Sequence, residues 1–198
     1  MKVGRRYRGV WMAVLLICCQ VEPAFAQQQT DQPLPVVNDE GVRIDVLPAD
    51  KLAVGAKARF QIAAKQAGYL IVIDVSAAGK VTQIYPNANY VLTAGARSFS
   101  NRIKPGQVLS IPEPGNPYTG FVFVVSPPAG VALSVAILCD QPVQFLDLPD
   151  VPASMAGRID AFNQVANATR ALQLAPAAAG ARLIKPKWSF GAKFYRVE

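Results

Sequence analysis

Residues 68–87, GYLIVIDVSAAGKVTQIYPN, decide the fold. Tyr69, Leu70, Ile71, Val72 and Ile73 form an apolar run that stops at Asp74. Ser76, Ala77, Ala78 and Gly79 supply a turn of small residues, and a second strand-like run ends at Pro86 and Asn87. β-Branched and aromatic residues on both sides of a glycine-bearing connection predict a β-hairpin. Its other residues have structural explanations. Gly68 and Gly79 are expected to permit positive φ, Pro86 and Asn87 to end a strand, and Tyr69 and Tyr85 to place amphipathic rings at a core edge.

Upstream, Val42, Ile44 and Val46 alternate with Arg43, Asp45 and Leu47, predicting a strand that Pro48 ends. Val54 and Gly55 turn the chain, and Ala58, Phe60 and Ile62 alternate with Lys57, Arg59 and Gln61 in a second strand. Downstream, Val91–Leu92 and Arg97–Phe99 are expected as short edge pieces, Pro105–Gly106 as a tight turn and Val108–Ile111 as a strand. A Pro/Gly-dense loop at 112–120 follows. Phe121–Val125 and Val131–Leu138 read as two central core strands, because their apolar character is nearly continuous.

From Asp147 the pattern changes. Asp150 is the expected N-cap and Pro152 sits in the expected first turn. Ile159, Phe162, Val165 or Ala166, Thr169 and Leu172 recur at helical spacing, predicting a helix over 153–174 that Pro176 stops. Residues 188–196 alternate as a last strand, whose basic residues are expected to lie on a solvated face. Short strands separated by turn chemistry predict a mainly β fold: one Ig-like antiparallel β-sandwich of about seven to nine strands, with a helix before the last.

The first 26 residues read as a secretory leader. Lys2, Arg5, Arg6 and Arg8 precede an apolar run, Val10–Cys19, and Ala24-Phe25-Ala26 is a small-x-small cleavage site. The run is shorter than the roughly 20 apolar residues of a membrane span. Export to the periplasm with cleavage after Ala26 is therefore expected, with no integral membrane span in the mature chain and association with the outer membrane left open. Residues 27–41 are Gln/Pro-rich and predict a flexible lead-in, leaving 42–198 as one domain. Without the leader, 16 basic residues face 12 acidic ones. That excess is mild, and export argues against a nucleic-acid partner.

The order of features resembles the bacterial domain-of-unknown-function 4384 family. The residues that carry it are Val54-Gly55, then Gly68, Tyr69 and Leu70, Gly79, the closing Tyr85, Pro86 and Asn87, and Pro128 with Gly130. The resemblance covers about Val42 to Val143. It implies a β-sandwich in exported or envelope-associated proteins, where the domain stands alone or is fused to curli-transport-like, caspase-like or protein-kinase domains. It implies no reaction and no catalytic residues.

Chemistry is narrowed mostly by composition. The 198 residues contain no histidine, which excludes Ser-His-Asp and Cys-His hydrolysis and His-ligated zinc within them. Cys139 is the one cysteine after the leader, and its apolar run predicts a buried structural thiol. Asp45, Asp74, Glu113, Asp140, Asp147 and Asp150 are the carboxylates a His-free hydrolase would have to pair. No cofactor and no metal is expected.

The candidate ligand surface is Tyr85, Asn87, Asn89, Tyr90, Asn116 and Tyr118, with Phe121 adjoining it. Aromatic rings beside amides on loops suit a peptide or a glycan. The expected function is a non-catalytic interaction module, an accessory of an envelope or secretion assembly. A carbohydrate- or peptidoglycan-binding module is the alternative, and a carboxylate hydrolase the third reading.

Overall fold

The fold follows from which residues alternate and which do not. The computed structural model describes residues 34–38, 41–87, 101–112, 122–174 and 183–198, all within one compact unit, Leu34–Glu198. The strands are β1 (Val36–Asn38), β2 (Val42–Leu47), β3 (Lys51–Leu52), β4 (Lys57–Ala64), β5 (Gly68–Val75) and β6 (Val81–Tyr85). They continue as β7 (Arg102–Ile103), β8 (Val108–Ile111), β9 (Phe123–Val124), β10 (Gly130–Cys139) and β11 (Trp188–Val197), with helix α1 (Ile159–Ala171) before the last.

Two sheets face each other. The first runs β1-β11-β10-β5-β6, with β3 parallel to the end of β11 and β7 antiparallel to the start of β5. The second runs β2-β4-β8, with β9 also on β4. Alternation in β2 and β4 does what period-two patterning requires. Val42, Ile44 and Val46 are buried, as are Ala58, Phe60 and Ile62, while Arg43, Lys57, Arg59 and Gln61 are exposed. The inward set meets Leu70, Val72, Ala132, Ala136 and Tyr195 of the first sheet in one core.

β5 and β10 do not alternate, and the reason is a third layer. Ile71, Ile73, Leu133, Val135, Ile137, Phe190 and Phe194 leave the opposite face of the first sheet. They are covered by Phe162, Val165 and Ala166 of α1 and by Val143 and Val151 of the segment leading to it. A sheet buried on both faces needs apolar residues at every position. Fully burying one such side chain is worth about 1.5–3 kcal/mol. Phe162 and Phe190 pack edge to face at 6.1 Å, and the Arg170 guanidinium lies 4.7 Å from the Phe190 ring centre.

The hairpin of residues 68–87 is β5 and β6, paired from Val75↔Val81 to Val72↔Tyr85 with one irregularity between Val72 and Ile73. Gly79 has φ +86°, as its turn requires. Gly68 does not use positive φ. A Cβ there would come within 2.7 Å of the Cys139 carbonyl oxygen and 2.8 Å of the Leu138 side chain, so glycine lets β5 lie against β10.

Several expectations are corrected. Eleven strands are present among the described residues. The count exceeds seven to nine because β1, β3, β7 and β9 are pairings of two or three residues. Part of the expected lead-in is strand: Val36–Asn38 pairs with Gly191–Lys193. Phe121–Val125 is not a central strand. Its described part pairs at the side of β4 as Lys57↔Val124 and Ala58↔Phe123, with Val125 bonded to Gly55 and Ala56; Val125 is buried, but Val122 and Val124 are exposed. β11 has no solvated basic face either; it lies between β1 and β10, with Phe190, Ala192, Phe194, Tyr195 and Val197 buried and Lys193 and Arg196 half-buried. The helix begins at Ile159 rather than 153, with Ile159 itself exposed and Arg158 at its N-cap making no side-chain cap bond. Asp150 is used elsewhere: its Oδ1 accepts the Val81 N–H at 2.7 Å. The expected edge pieces at 91–92 and 97–99 lie outside the described residues.

Candidate functional site

Tyr85 and Asn87 close the hairpin, and only they, of the six residues singled out from the sequence, are described. Tyr85 is buried between the sheets, while Asn87 is half-buried just beyond Pro86. Both make further contacts within the chain. Asn89, Tyr90, Asn116 and Tyr118 lie outside the described residues, as does Phe121. The structure thus assigns Tyr85 a core position, and brings no second member of the aromatic set beside it among the described residues.

The described carboxylates are dispersed and mostly engaged. Asp45 pairs with Arg43 at 2.9 Å on the outside of β2. Asp140 accepts the Lys187 N–H at 2.9 Å, and Asp150 that of Val81. Glu113 lies outside the described residues. Among the described residues, no group of three or more Cys, Asp or Glu side chains is arranged to hold a metal ion.

Asp74 stands apart. It sits on β5 directly opposite Ser134 of β10, pointing into the inter-sheet core. Its Oδ1 accepts from Ser134 Oγ at 2.8 Å and from Tyr195 OH at 3.0 Å. All three residues are buried. Burial raises the Asp74 pKa to about 6, and the Ser134 and Tyr195 hydrogen bonds only partly offset that. The Tyr195 phenol is pushed well above its usual range, chiefly by burial and further by the Asp74 charge. This arrangement ties three neighbouring strands together and holds a carboxyl that is easily kept protonated. Sequence reading missed it, although the signal was present. Asp74 and Ser134 are the polar residues in otherwise apolar runs, where a polar group must find a partner.

Cys139 is fully buried on the helix side of β10, and burial lifts its thiol to about 11. It is therefore protonated and unreactive at neutral pH.

A surface groove opens where the second sheet loses two strands. β2 pairs with β4 as far as Leu47↔Arg59, and Pro48 follows. β8 pairs as far as Ile111↔Phe60, and Pro112 follows. Neither proline has an N–H to extend its ladder. The result is a groove of about 600 Å³ lined by Leu47, Pro48, Lys57, Ala58, Arg59, Pro112 and Val122. Its walls are mostly aliphatic. Lys57 and Arg59 are exposed on the outward face of β4, and neither makes an ion pair among the described residues. Pro112 and Val122 are also the ends of the stretch that contains Asn116 and Tyr118.

No curated protein and no solved structure matches the chain. The matched family segment begins at β3 and ends just past β10, so β1, β2, α1 and β11 lie outside it. Residues 51–142 match the family model described as "Domain of unknown function (DUF4384)", and it is this segment of the chain that belongs to that family.

Proposed function

We propose that this chain is an exported, periplasmic, non-catalytic interaction module, an accessory of an envelope or secretion assembly that binds a protein partner. The observation that carries the reading is the groove on the outer face of the second sheet. It is an aliphatic recess with two cations that make no ion pair among the described residues, on a sheet scaffold, which suits recognition. The groups best able to do chemistry support the same reading. Asp74 is committed to Ser134 and Tyr195 inside the core, and Cys139 is buried as a protonated thiol. Residues 1–26 have the pattern of an export leader, which supports the location. The glycan reading loses support because Tyr85 faces the core rather than a ligand.

The test is site-specific photo-cross-linking in cells, with the photoreactive residue at Arg59 and, separately, at Arg158 near the helix layer. The expected result is a discrete protein adduct from position 59 only, in the periplasmic or envelope fraction. Equal adducts from both positions, none from either, or a chain that remains in the cytoplasm would overturn the proposal.

A further inference from the structure

We infer that the groove at the ends of β2 and β8 binds an extended peptide segment of a partner protein, with aliphatic residues alternating with acidic ones. The inference rests on the interaction-module reading and names the chemistry of its partner.

Three features point to that occupant. The first is shape. Lys57 and Ala58 lie beyond the last β2–β4 pair, β9 takes one edge of β4 at these two residues, and β2 and β8 end in Pro48 and Pro112. Without N–H groups, those prolines cannot extend β2 and β8 along β4, which leaves its other edge open. An extended segment fits a channel left between diverging strands, and adding a strand to such an edge is a recurrent recognition mode.

The second is charge. Lys57 and Arg59 are two residues apart on one face of a strand, so their side chains emerge roughly 6–7 Å from each other. Acidic side chains at alternate positions of an extended peptide have the same repeat. Neither Lys57 nor Arg59 makes an ion pair among the described residues, whereas Arg43 pairs with Asp45, Lys51 with Glu198 and Lys193 with Asp50.

The third is the lining. Leu47, Pro48, Pro112 and Val122 offer aliphatic contact to the alternate side chains of the same segment. A second copy of this chain is a poor occupant, because the groove is cationic and the chain after the leader is itself net basic, with 16 basic residues against 12 acidic ones.

The test uses the full chain and a fluorescent eight-residue peptide alternating valine or leucine with aspartate or glutamate. Fluorescence anisotropy should show saturable binding that weakens at least tenfold between 50 and 500 mM salt, on the order expected for exposed ion pairs. The same peptide with lysine in place of each acid should bind at least tenfold more weakly. Lys57→Glu and Arg59→Glu should each cost about tenfold, while Lys185→Glu, an exposed cation elsewhere, should change little. Circular dichroism of every variant shows whether folding is intact, and Lys57→Gln and Arg59→Gln serve if a charge reversal unfolds the chain.

Failure of the acidic peptide to bind would overturn the inference. So would equal binding of both peptides, or binding of anionic phospholipid vesicles that is lost in the same variants. Self-association lost in Lys57→Glu would assign the groove to a second copy and overturn it too. The broader reading is judged separately. A protein cross-linked at position 59 without peptide binding leaves the module reading standing and removes this one; no adduct and no peptide binding remove both.

Discussion

Gly79 and Val151 are locked together across 72 residues of chain: the Val151 N–H donates to the Gly79 carbonyl at 2.8 Å, and a Cβ on Gly79 would fall on the Val151 carbonyl oxygen. The neighbouring bond from Val81 N–H to Asp150 Oδ1, at 2.7 Å, makes the contact a two-point clasp. The segment that leads to α1 is thereby pinned to the tip of the β5–β6 hairpin.

Gly79→Ala should therefore be more damaging than an ordinary turn substitution. It forces a side chain into φ +86° and into a backbone atom that cannot rotate away. The expected loss is about 2–4 kcal/mol in urea unfolding, within the range of severe backbone effects. Gly55→Ala, also at positive φ but with open space around its Cβ, should cost less. Equal losses would show that φ alone matters and that the clasp does not.

Asp74 predicts a pH dependence with a definite sign. Its carboxyl keeps its proton to about pH 6 in the folded chain, against 3.8 in the unfolded one. Between those values the folded state binds more protons, so stability should fall as pH rises from about 4 to 6. A shift of that size corresponds to roughly 3 kcal/mol. Asp74→Asn keeps an oxygen to accept from Ser134 and Tyr195 but does not titrate. Urea unfolding from pH 4 to 7 should show the wild-type curve declining relative to the variant. Parallel curves would refute the assignment.

Tyr195→Phe removes one of the two donors that hold the Asp74 pKa down. The declining window should then move to higher pH, with a loss of about 1–3 kcal/mol at pH 7, where the lost bond is to a charged group. Carbon-13 titration of the Asp74 carboxyl measures the shift directly. An unchanged or lowered midpoint would contradict the hydrogen-bond geometry.

Gln83 guards the outer edge of the first sheet. Its side-chain nitrogen donates to the carbonyls of Pro86 and Gln144, both at 2.7 Å, and its oxygen accepts the Leu146 N–H at 3.1 Å. Gln83→Ala should cost about 1–3 kcal/mol, because partly buried backbone groups lose their partners. Hydrogen exchange at the Leu146 amide should accelerate more than at the Val135 amide in the sheet centre. Uniform acceleration would mean the segment does not open on its own.

Cys139 should resist alkylation in the native chain and react only on unfolding, since its thiol is buried and its pKa lies near 11. Peptide mapping after iodoacetamide treatment at pH 8, with and without urea, separates it from Cys18 and Cys19. Rapid native labelling would show that β10 is accessible from the helix side.

The local pattern was legible where it reflects a strand's own surroundings. Alternation in residues 42–47 and 57–64 named the inward faces of β2 and β4 correctly, down to Phe60 and Ile62. It failed for Phe121–Val125, whose apolar residues look like a core strand until the pairing shows a two-residue contact at the side of β4. Asp150 resembled a helix cap because Asp before a helical pattern usually is one, yet the hairpin tip claimed it. Of the candidate surface, Tyr85 takes the core-edge position that its amphipathic ring suggested rather than a ligand-facing one. The groove was hidden for a different reason: Pro48 and Pro112 each read as a strand end, and only their convergence on β4 makes a recess.

By itself, then, the sequence determined the β5–β6 hairpin, the faces of β2 and β4, the mainly β class and the family. Each depends on spacing within one short stretch or on residue types at set offsets. The tertiary structure alone decided that β11 lies inside the first sheet, between β1 and β10, and pairs along its length with β10 from Gly130↔Val197 to Cys139↔Trp188. It also decided that a third layer covers that sheet, and that Asp74, Ser134 and Tyr195 meet. Those outcomes depend on which distant strands pair, and periodicity, being a local property, carries no record of the partner.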